Sequence, residues 1–350
     1  MAVTGWPTLV EVRKALEIVK VDISQYKGLS KYFPIRTTQA QKVKWREIYG
    51  VGGMTTAHNL DADVKLIDKK YIKEKEASPF YFKEAQRWTE SDILELAKLE
   101  DEYRKMTINE MIGQSMGDMK PRAITRLEWM GWQALLYGQV SLDENGVKKT
   151  AKYGVPGANL AVSPVASWDD PSTSQPITDV ENVATQRFEN TGYELGEIIM
   201  TRRTMQKFCN SEQVIERFEG MSLREKFMAS TAPELLPILF PGTVFDLNDT
   251  GFETVSINPS TKARTRSFSK FIPDDYVLFM PKAKPGEIIE TMLTPSIHNG
   301  SGAGIPQPGI FAFPVDKTGE ANPYYDIVVG VYGLATITRP DCHFVMYVGS

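Results

Sequence analysis

Hydrophobic and polar positions change period several times along the chain, and each change marks an element. Leu9, Val12, Leu16 and Val19 recur at three- and four-residue steps, which predicts an amphipathic helix over 8–20. Within "VKWREI", Val43, Trp45 and Glu47 alternate with Lys44, Arg46 and Ile48, the period of a partly exposed strand. Gly50, Gly52 and Gly53 break that strand, and extended character returns through "VKLIDKKYIKEKEASPFYF". Two strand-like arms around a polar, Gly-rich tip predict a long antiparallel loop over about 42–82. It has little apolar content of its own, so it needs another surface to lie on.

From Trp88 the pattern turns helical. "TESD" at 89–92 fits a capping box, and Leu96, Leu99, Tyr103 and Met106 step along one face. Gly113, Gly117 and Pro121 are expected to loosen or kink this helix before "RLEWMGWQALLYG" resumes it; unbroken from 89 to 138 it would run ~70 Å. Trp129, Trp132 and Leu136 line one stripe of the last turns and Leu127, Met130 and Ala134 the adjacent one, so this end must be buried on more than one side. Gly138 suits a left-handed cap, and Asn145-Gly146 suits the tight turn of the hairpin that follows. The Pro/Ser-rich segment 160–180 reads as a linker. A helix (177–191), a strand (195–201), helices across 203–238 and strands at 243–247, 252–258, 264–270 and 276–280 come next. A Gly/Pro loop at 294–309 precedes the closing strands "YDIVVGVYGLATI" and "HFVMYV". The fold class is α+β.

Composition narrows the function classes. The 350 residues are 42% hydrophobic and 24% charged, an ordinary globular balance that excludes disorder throughout. Net charge is −4, which does not suit a dedicated nucleic-acid binder. Residues 1–85 hold 15 Lys/Arg against 10 Asp/Glu while the remainder is acidic, so different parts of the chain are expected to meet different neighbours. Two cysteines, Cys209 and Cys342, are too few for a disulfide framework and read as reduced thiols. The N-terminal residues lack a signal-peptide pattern and no apolar window reaches a membrane span, so a soluble, intracellular chain is expected.

Candidate chemistry is sparse. None of His58, His298 and His343 has the spacing of a zinc pair. Cys342 and His343 are strand neighbours that point to opposite faces and cannot act as nucleophile and base. "GSGAG" at 300–304 lacks the helix and the Lys-Ser/Thr of a phosphate loop. Asp169-Asp170 and Asp274-Asp275 read as turn residues, and Met106, Met111, Met116, Met119 and Met130 as adaptable packing. "KKYIKEKE" at 69–76 reads equally as a solvated strand or an intersubunit electrostatic contact. No catalytic set, cofactor or metal site emerges, and an assembly role is favoured.

The order of parts resembles the major capsid proteins of tailed phages, the Hong Kong 97 fold, and within it the lambda-like coat protein family. The residues that carry this are "FPIRTTQAQKVKWREIYG" at 33–50, "RLEWMGWQALLYGQVSLDENGVKKTAKYGV" at 126–155, "GYELGEIIMTRRTMQKF" at 192–208 and "RPDCHFVMYV" at 339–348. The resemblance spans nearly the full chain and implies a shell subunit that forms pentamers and hexamers of an icosahedral head around double-stranded DNA. It implies an N-terminal arm at 1–41, an extended loop at 42–82, a peripheral domain with a spine helix at 83–165, an axial domain at 166–335 and a strand at 336–350 returning to the peripheral domain. Intersubunit contacts then fall to Gly50, Gly52, Gly53, Lys69, Lys70, Lys73 and Lys75, spine packing to Trp129, Trp132 and Leu136, and an axial loop to His298, Gly300, Gly302 and Gly304. Expected partners are further copies, a separate scaffolding protein, a portal and decoration proteins, with assembly in the host cytoplasm. Two other readings stand beside it: a tail or adaptor component, and a two-domain enzyme with 294–309 as its lid.

Overall fold

The computed structural model describes residues 6–49, 72–144, 146–219, 232–257, 264–300 and 306–350. The chain packs into two compact units, one of residues 1–44, 76–131 and 290–335, the other of residues 45–75, 132–289 and 336–350.

In the first unit, helix α1 (Leu9–Ile18) starts at a capping box: the Thr8 hydroxyl accepts from the Glu11 amide, and the Glu11 carboxylate accepts from the Thr8 amide at 2.7 Å. Val12 and Leu16 are its buried residues, as their spacing predicts. A π-turn at Gly28–Tyr32 leads into β1 (Ile35–Thr37), and β2 (Val43–Ile48) follows with its inward residues at alternate positions.

Among the described residues β3 (Ile72–Ala77) pairs with β2 alone, so the arms of the expected loop meet at their bases. Gly50, Gly52, Gly53, Lys69 and Lys70 lie outside the described residues. The second arm does not run on to residue 82, because β4 (Phe80–Thr89) joins a different sheet. The helix begins after Thr89, as a cap at that residue predicts. Its capping box is present, with the Thr89 amide donating to Asp92 at 2.7 Å.

The expected single helix is two helices, and the break is not at the glycines. α2 (Glu90–Ala97) ends before α3 (Asp101–Tyr137) begins, and Arg104 occupies the junction. Its guanidinium donates to the carbonyls of Leu96 (3.1 Å) and Leu99 (2.7 Å) and to the Asp101 carboxylate (3.0 Å). It thus satisfies carbonyls that a helix end leaves open. α3 runs through Gly113, Gly117 and Pro121 without interruption. A mid-helix proline costs ~3 kcal/mol or more, and buried Ile112, Met116, Met119, Ile124 and Leu127 on both sides of it hold the helix. Tyr103 and Met106 are exposed, not inward as their periodicity suggests; the buried stripe is Ile108, Ile112, Met116 and Met119.

The sheet of the first unit has the order β1-β12-β16-β15, with β4 also pairing β16. Here β12 is Ile289–Leu293, β15 is Ile310–Asp316 and β16 is Tyr324–Ile337. Trp88 lies opposite Tyr325 in the β4–β16 register. Those two rings, Trp6 and the inward residues of α1 and α3 form the core. Within the expected loop at 294–309 the described residues form a small two-stranded sheet, β13 (Pro295–Gly300) with β14 (Pro306–Pro308), and 301–305 lie outside the described residues.

The second unit opens with the hairpin β5 (Gln139–Glu144) and β6 (Val147–Lys152), whose Gly146 has φ +78°. A short helix α4 (Gly157–Leu160) precedes the segment read as a linker. That segment is packed: Trp168 is buried and its Nε1 donates to Asp179 at 2.8 Å. Next come α5 (Pro176–Thr191), β7 (Leu195–Met200), α6 (Arg202–Asn210), α7 (Glu212–Glu219) and α8 (Ala232–Leu235). β8 (Val244–Leu247) lies parallel to β7, and β9 (Gly251–Ile257) forms a ribbon with β10 (Arg264–Lys270). β11 (Tyr276–Pro281) and the terminal β17 (Phe344–Tyr347) complete a sheet of order β17-β11-β7-β8. Phe208, Phe218, Phe245, Phe279 and Phe344 fill its core.

Candidate assembly surfaces

The arm base is built on the alternation in β2. Val43, Trp45 and Glu47 point inward, so a carboxylate sits in a buried register position. Glu47 accepts from the Tyr49 hydroxyl at 2.9 Å, and the Lys75 ammonium stands 3.4 Å away on β3. Trp45 lies 6.0 Å from the buried Tyr153 ring, whose phenol burial pushes upward. The outward positions form a charge ladder of Lys42 and Lys44 with Glu76 and of Arg46 with Glu74. Hydrogen bonds from Lys42 and Lys44 hold the exposed Glu76 carboxyl below its usual range. Lys73 is exposed and Lys75 half-buried. Two of the lysines read from sequence therefore differ in kind: Lys75 braces the arm, and Lys73 faces solvent.

The apolar end of α3 is held by burial and by hydrogen bonds to the π-turn. Trp132 and Leu136 are buried and Trp129 half-buried, with the Arg126 guanidinium stacked 4.3 Å from the Trp129 ring. Glu128, which sequence reasoning passed over, accepts from the amides of Gly28 (2.7 Å) and Leu29 (2.8 Å) in the π-turn. Gly131 is needed because Phe33 packs against it: a Cβ there would lie 2.2 Å from the ring. Gly138 has φ +61°, the left-handed cap its position predicts, and its carbonyl accepts from Tyr153 at 3.0 Å.

His298 lies in β13, with its ring stacked on Phe313 at 3.8 Å. Its carbonyl accepts from Arg13 Nη2 at 2.6 Å. Burial, then Lys83 and Arg13, lowers its basicity. Gly300 ends the same strand, whereas Gly302 and Gly304 lie outside the described residues.

The remaining titratable groups do structural work. Cys209 and Cys342 are buried, and desolvation pushes both thiols up to about 12. His343 is buried with Nε2 against the Leu135 carbonyl at 3.0 Å, and burial lowers its pKa to about 4. Asp170 holds the turn through Ser172 and Thr173. Asp274 binds Lys270 and Thr201, and Asp169 and Asp275 both bind Lys207. Among the described residues no group of three His, Cys, Asp or Glu side chains is placed to hold a metal ion, and no helix is long and apolar enough to cross a membrane.

What these parts have in common is buried bracing of an arm, a helix and a sheet, with charge ladders outside. The family model "Phage major capsid protein E" matches residues 11–346. The chain belongs to that family. It is a phage capsid shell protein, a component of the virion head. Solved structures carry the same fold at low identity. The putative capsid protein of a prophage from Escherichia coli CFT073 is 13% identical, with 99% of this chain and 100% of that one covered and a TM-score of 0.59. A phage-related protein from Bordetella bronchiseptica RB50 is 14% identical, with 96% and 95% covered and a TM-score of 0.51. The architecture is thus an α+β capsid fold, as expected from the sequence.

Proposed function

We propose that this capsid protein is the repeating subunit of an icosahedral head of the Hong Kong 97 kind, assembling as pentamers and hexamers around double-stranded DNA. The observation that carries the reading is membership of a shell-protein family over nearly the whole chain. Residues 1–41 act as the N-terminal arm, and residues from 42 to the start of β4 at Phe80 as the extended loop, read from sequence as 42–82, that lies on a neighbour. Residues 83–165 with 336–350 form the peripheral region, and 166–335 the axial region. These are roles in a shell, whereas the compact units describe packing within one chain.

The arm base supports the loop assignment: β2 and β3 form a two-stranded sheet of their own among the described residues, and buried Glu47 braces them through Lys75. Gly50, Gly52, Gly53, Lys69, Lys70, Lys73 and Lys75 are the contacts proposed there, and His298, Gly300, Gly302 and Gly304 mark a second contact loop. The role is structural rather than enzymatic. A scaffolding protein and a portal are the partners proposed for such a head, with decoration proteins as optional additions, and assembly takes place in the host cytoplasm. The acidic balance suits packaging, since strong sequence-independent attraction to DNA would impede its movement.

Sedimentation of the purified chain, alone and with its scaffold, tests the proposal. Particles far larger than a hexamer are expected; a monomer at every concentration contradicts it. Replacing 51–71 by a short Gly-Ser linker is expected to leave cooperative unfolding intact while abolishing stable particles.

A further inference from the structure

β9 and β10 form a ribbon that pairs with no third strand among the described residues. The described side chains at Glu253, Thr254 and Val255 and from Arg264 to Ser269 are all exposed. A two-stranded ribbon is marginal in water without a surface to pack on. This one nevertheless carries Val255 and Phe268, 52% and 63% exposed. The register puts Val255 opposite Arg266 and Glu253 opposite Phe268, so these side chains share one face with Arg264. Thr254 and Ser267, with hydroxyls 2.6 Å apart, occupy the other face. The apolar face is therefore also the basic one. Residues 251–270 contain Lys262, Arg264, Arg266 and Lys270 against Glu253 alone.

A face of matching character lies on α5. Val180, Val183 and Arg187 are buried, which turns Glu181, Thr185 and Phe188 outward at four- and three-residue steps. Phe188 is 56% exposed and Glu189 flanks it. Between residues 176 and 200 the one basic residue is the buried Arg187, against Asp179, Glu181, Glu189, Glu194 and Glu197. The exposed charge of this segment is wholly acidic.

A chain with two unlike, complementary surfaces is suited to head-to-tail contact, and such contacts generate rings when the rotation closes. We infer that the β9–β10 ribbon of one copy docks on the α5 face of a second copy. Phe268 and Val255 meet Phe188, and Arg264 and Arg266 meet Glu181 and Glu189. The inference rests on the shell-subunit reading above.

Charge reversal in the full-length chain tests it, read by particle yield in sedimentation and negative-stain images. R264E/R266E and E181K/E189K are each expected to lower yield about tenfold or more, since like charges then face each other. The chain with all four substitutions is expected to recover it. A 1:1 mixture of the two reversed chains must alternate around a ring, so it should give six-membered but not five-membered rings. Reversed chains that assemble as the wild type does overturn the inference. So does a four-substitution chain as defective as its parents, when its thermal unfolding stays cooperative. If a reversed chain does not fold, F268S and F188S serve instead: reduced assembly by both supports the contact, and wild-type assembly overturns it. Failure of the wild-type chain itself to assemble refutes the shell-subunit reading rather than this contact alone.

Discussion

Glu128→Ala isolates the tie between the N-terminal π-turn and α3. In the native chain both carboxylate oxygens of a buried Glu128 are used, one by the Gly28 amide at 2.7 Å and one by the Leu29 amide at 2.8 Å. Gly28 and Leu29 are themselves buried, so water does not replace the lost acceptor. Hydrogen bonds to a charged group contribute about 1.5–3 kcal/mol each, which puts the loss at about 3–6 kcal/mol. That is a large part of the 5–15 kcal/mol typical of a folded domain. Glu128→Gln keeps one acceptor oxygen, now neutral, and turns an amide donor toward the second amide, so more than half the loss is expected. Urea unfolding followed by tryptophan fluorescence measures both. Glu84→Ala is the control. It breaks only the solvent-exposed pair with Arg122 and should cost below about 1 kcal/mol. An alanine variant of Glu128 as mild as that control would refute the claim that these two bonds hold the π-turn on α3.

Glycines along α3 are expected to split by environment. Gly113→Ala and Gly117→Ala meet nothing within 4 Å and should each stabilise by about 0.5–1 kcal/mol, whereas Gly131→Ala drives a methyl into Phe33 and should cost about 1–3 kcal/mol; urea midpoints separate the three. Gly138→Ala should be destabilising by more than 1 kcal/mol, because φ is +61° and its methyl would sit 2.8 Å from Leu160; a Tm at or above wild type would contradict this. Acid should act through His343. Its pKa is about 4 in the fold against 6.5 in the open chain, so the unfolded state binds the extra proton in between. The stability due to the neutral ring is complete above pH 6.5 and falls as pH drops toward 4, by about 3 kcal/mol in all. His343→Gln should flatten that part of the stability–pH curve, and an unchanged slope would count against the assignment.

Periodicity made α1, the hairpin after Gly138 and the buried end of α3 readable, because each is a local pattern closed by a local cap. It failed where the phase was reset. Leu96 and Tyr103 lie on opposite sides of the break between Ala97 and Asp101, so a stripe extrapolated across it pointed to solvent. Arg104 binds carbonyls and Glu128 binds amides a hundred residues away, and neither partner leaves a trace in side-chain spacing. The prolines of β13 and β14 looked like loop residues. Pro295 and Pro308 face each other in a small two-stranded sheet, and missing donors are tolerated at sheet edges. Trp168 was the one sign that 160–180 is packed, since an indole with a buried partner anchors whatever polar residues surround it. For the candidate site the signal at the arm base was Glu47, a charge in phase with Val43 and Trp45.

The proposed end product of this chain is a closed head. Cryo-electron microscopy of the particles formed by the purified chain with its scaffold tests it most directly. Closed icosahedral shells with five- and six-membered rings of one subunit are expected; particles lacking both rings, or a monomer that never assembles, would rule out a closed head.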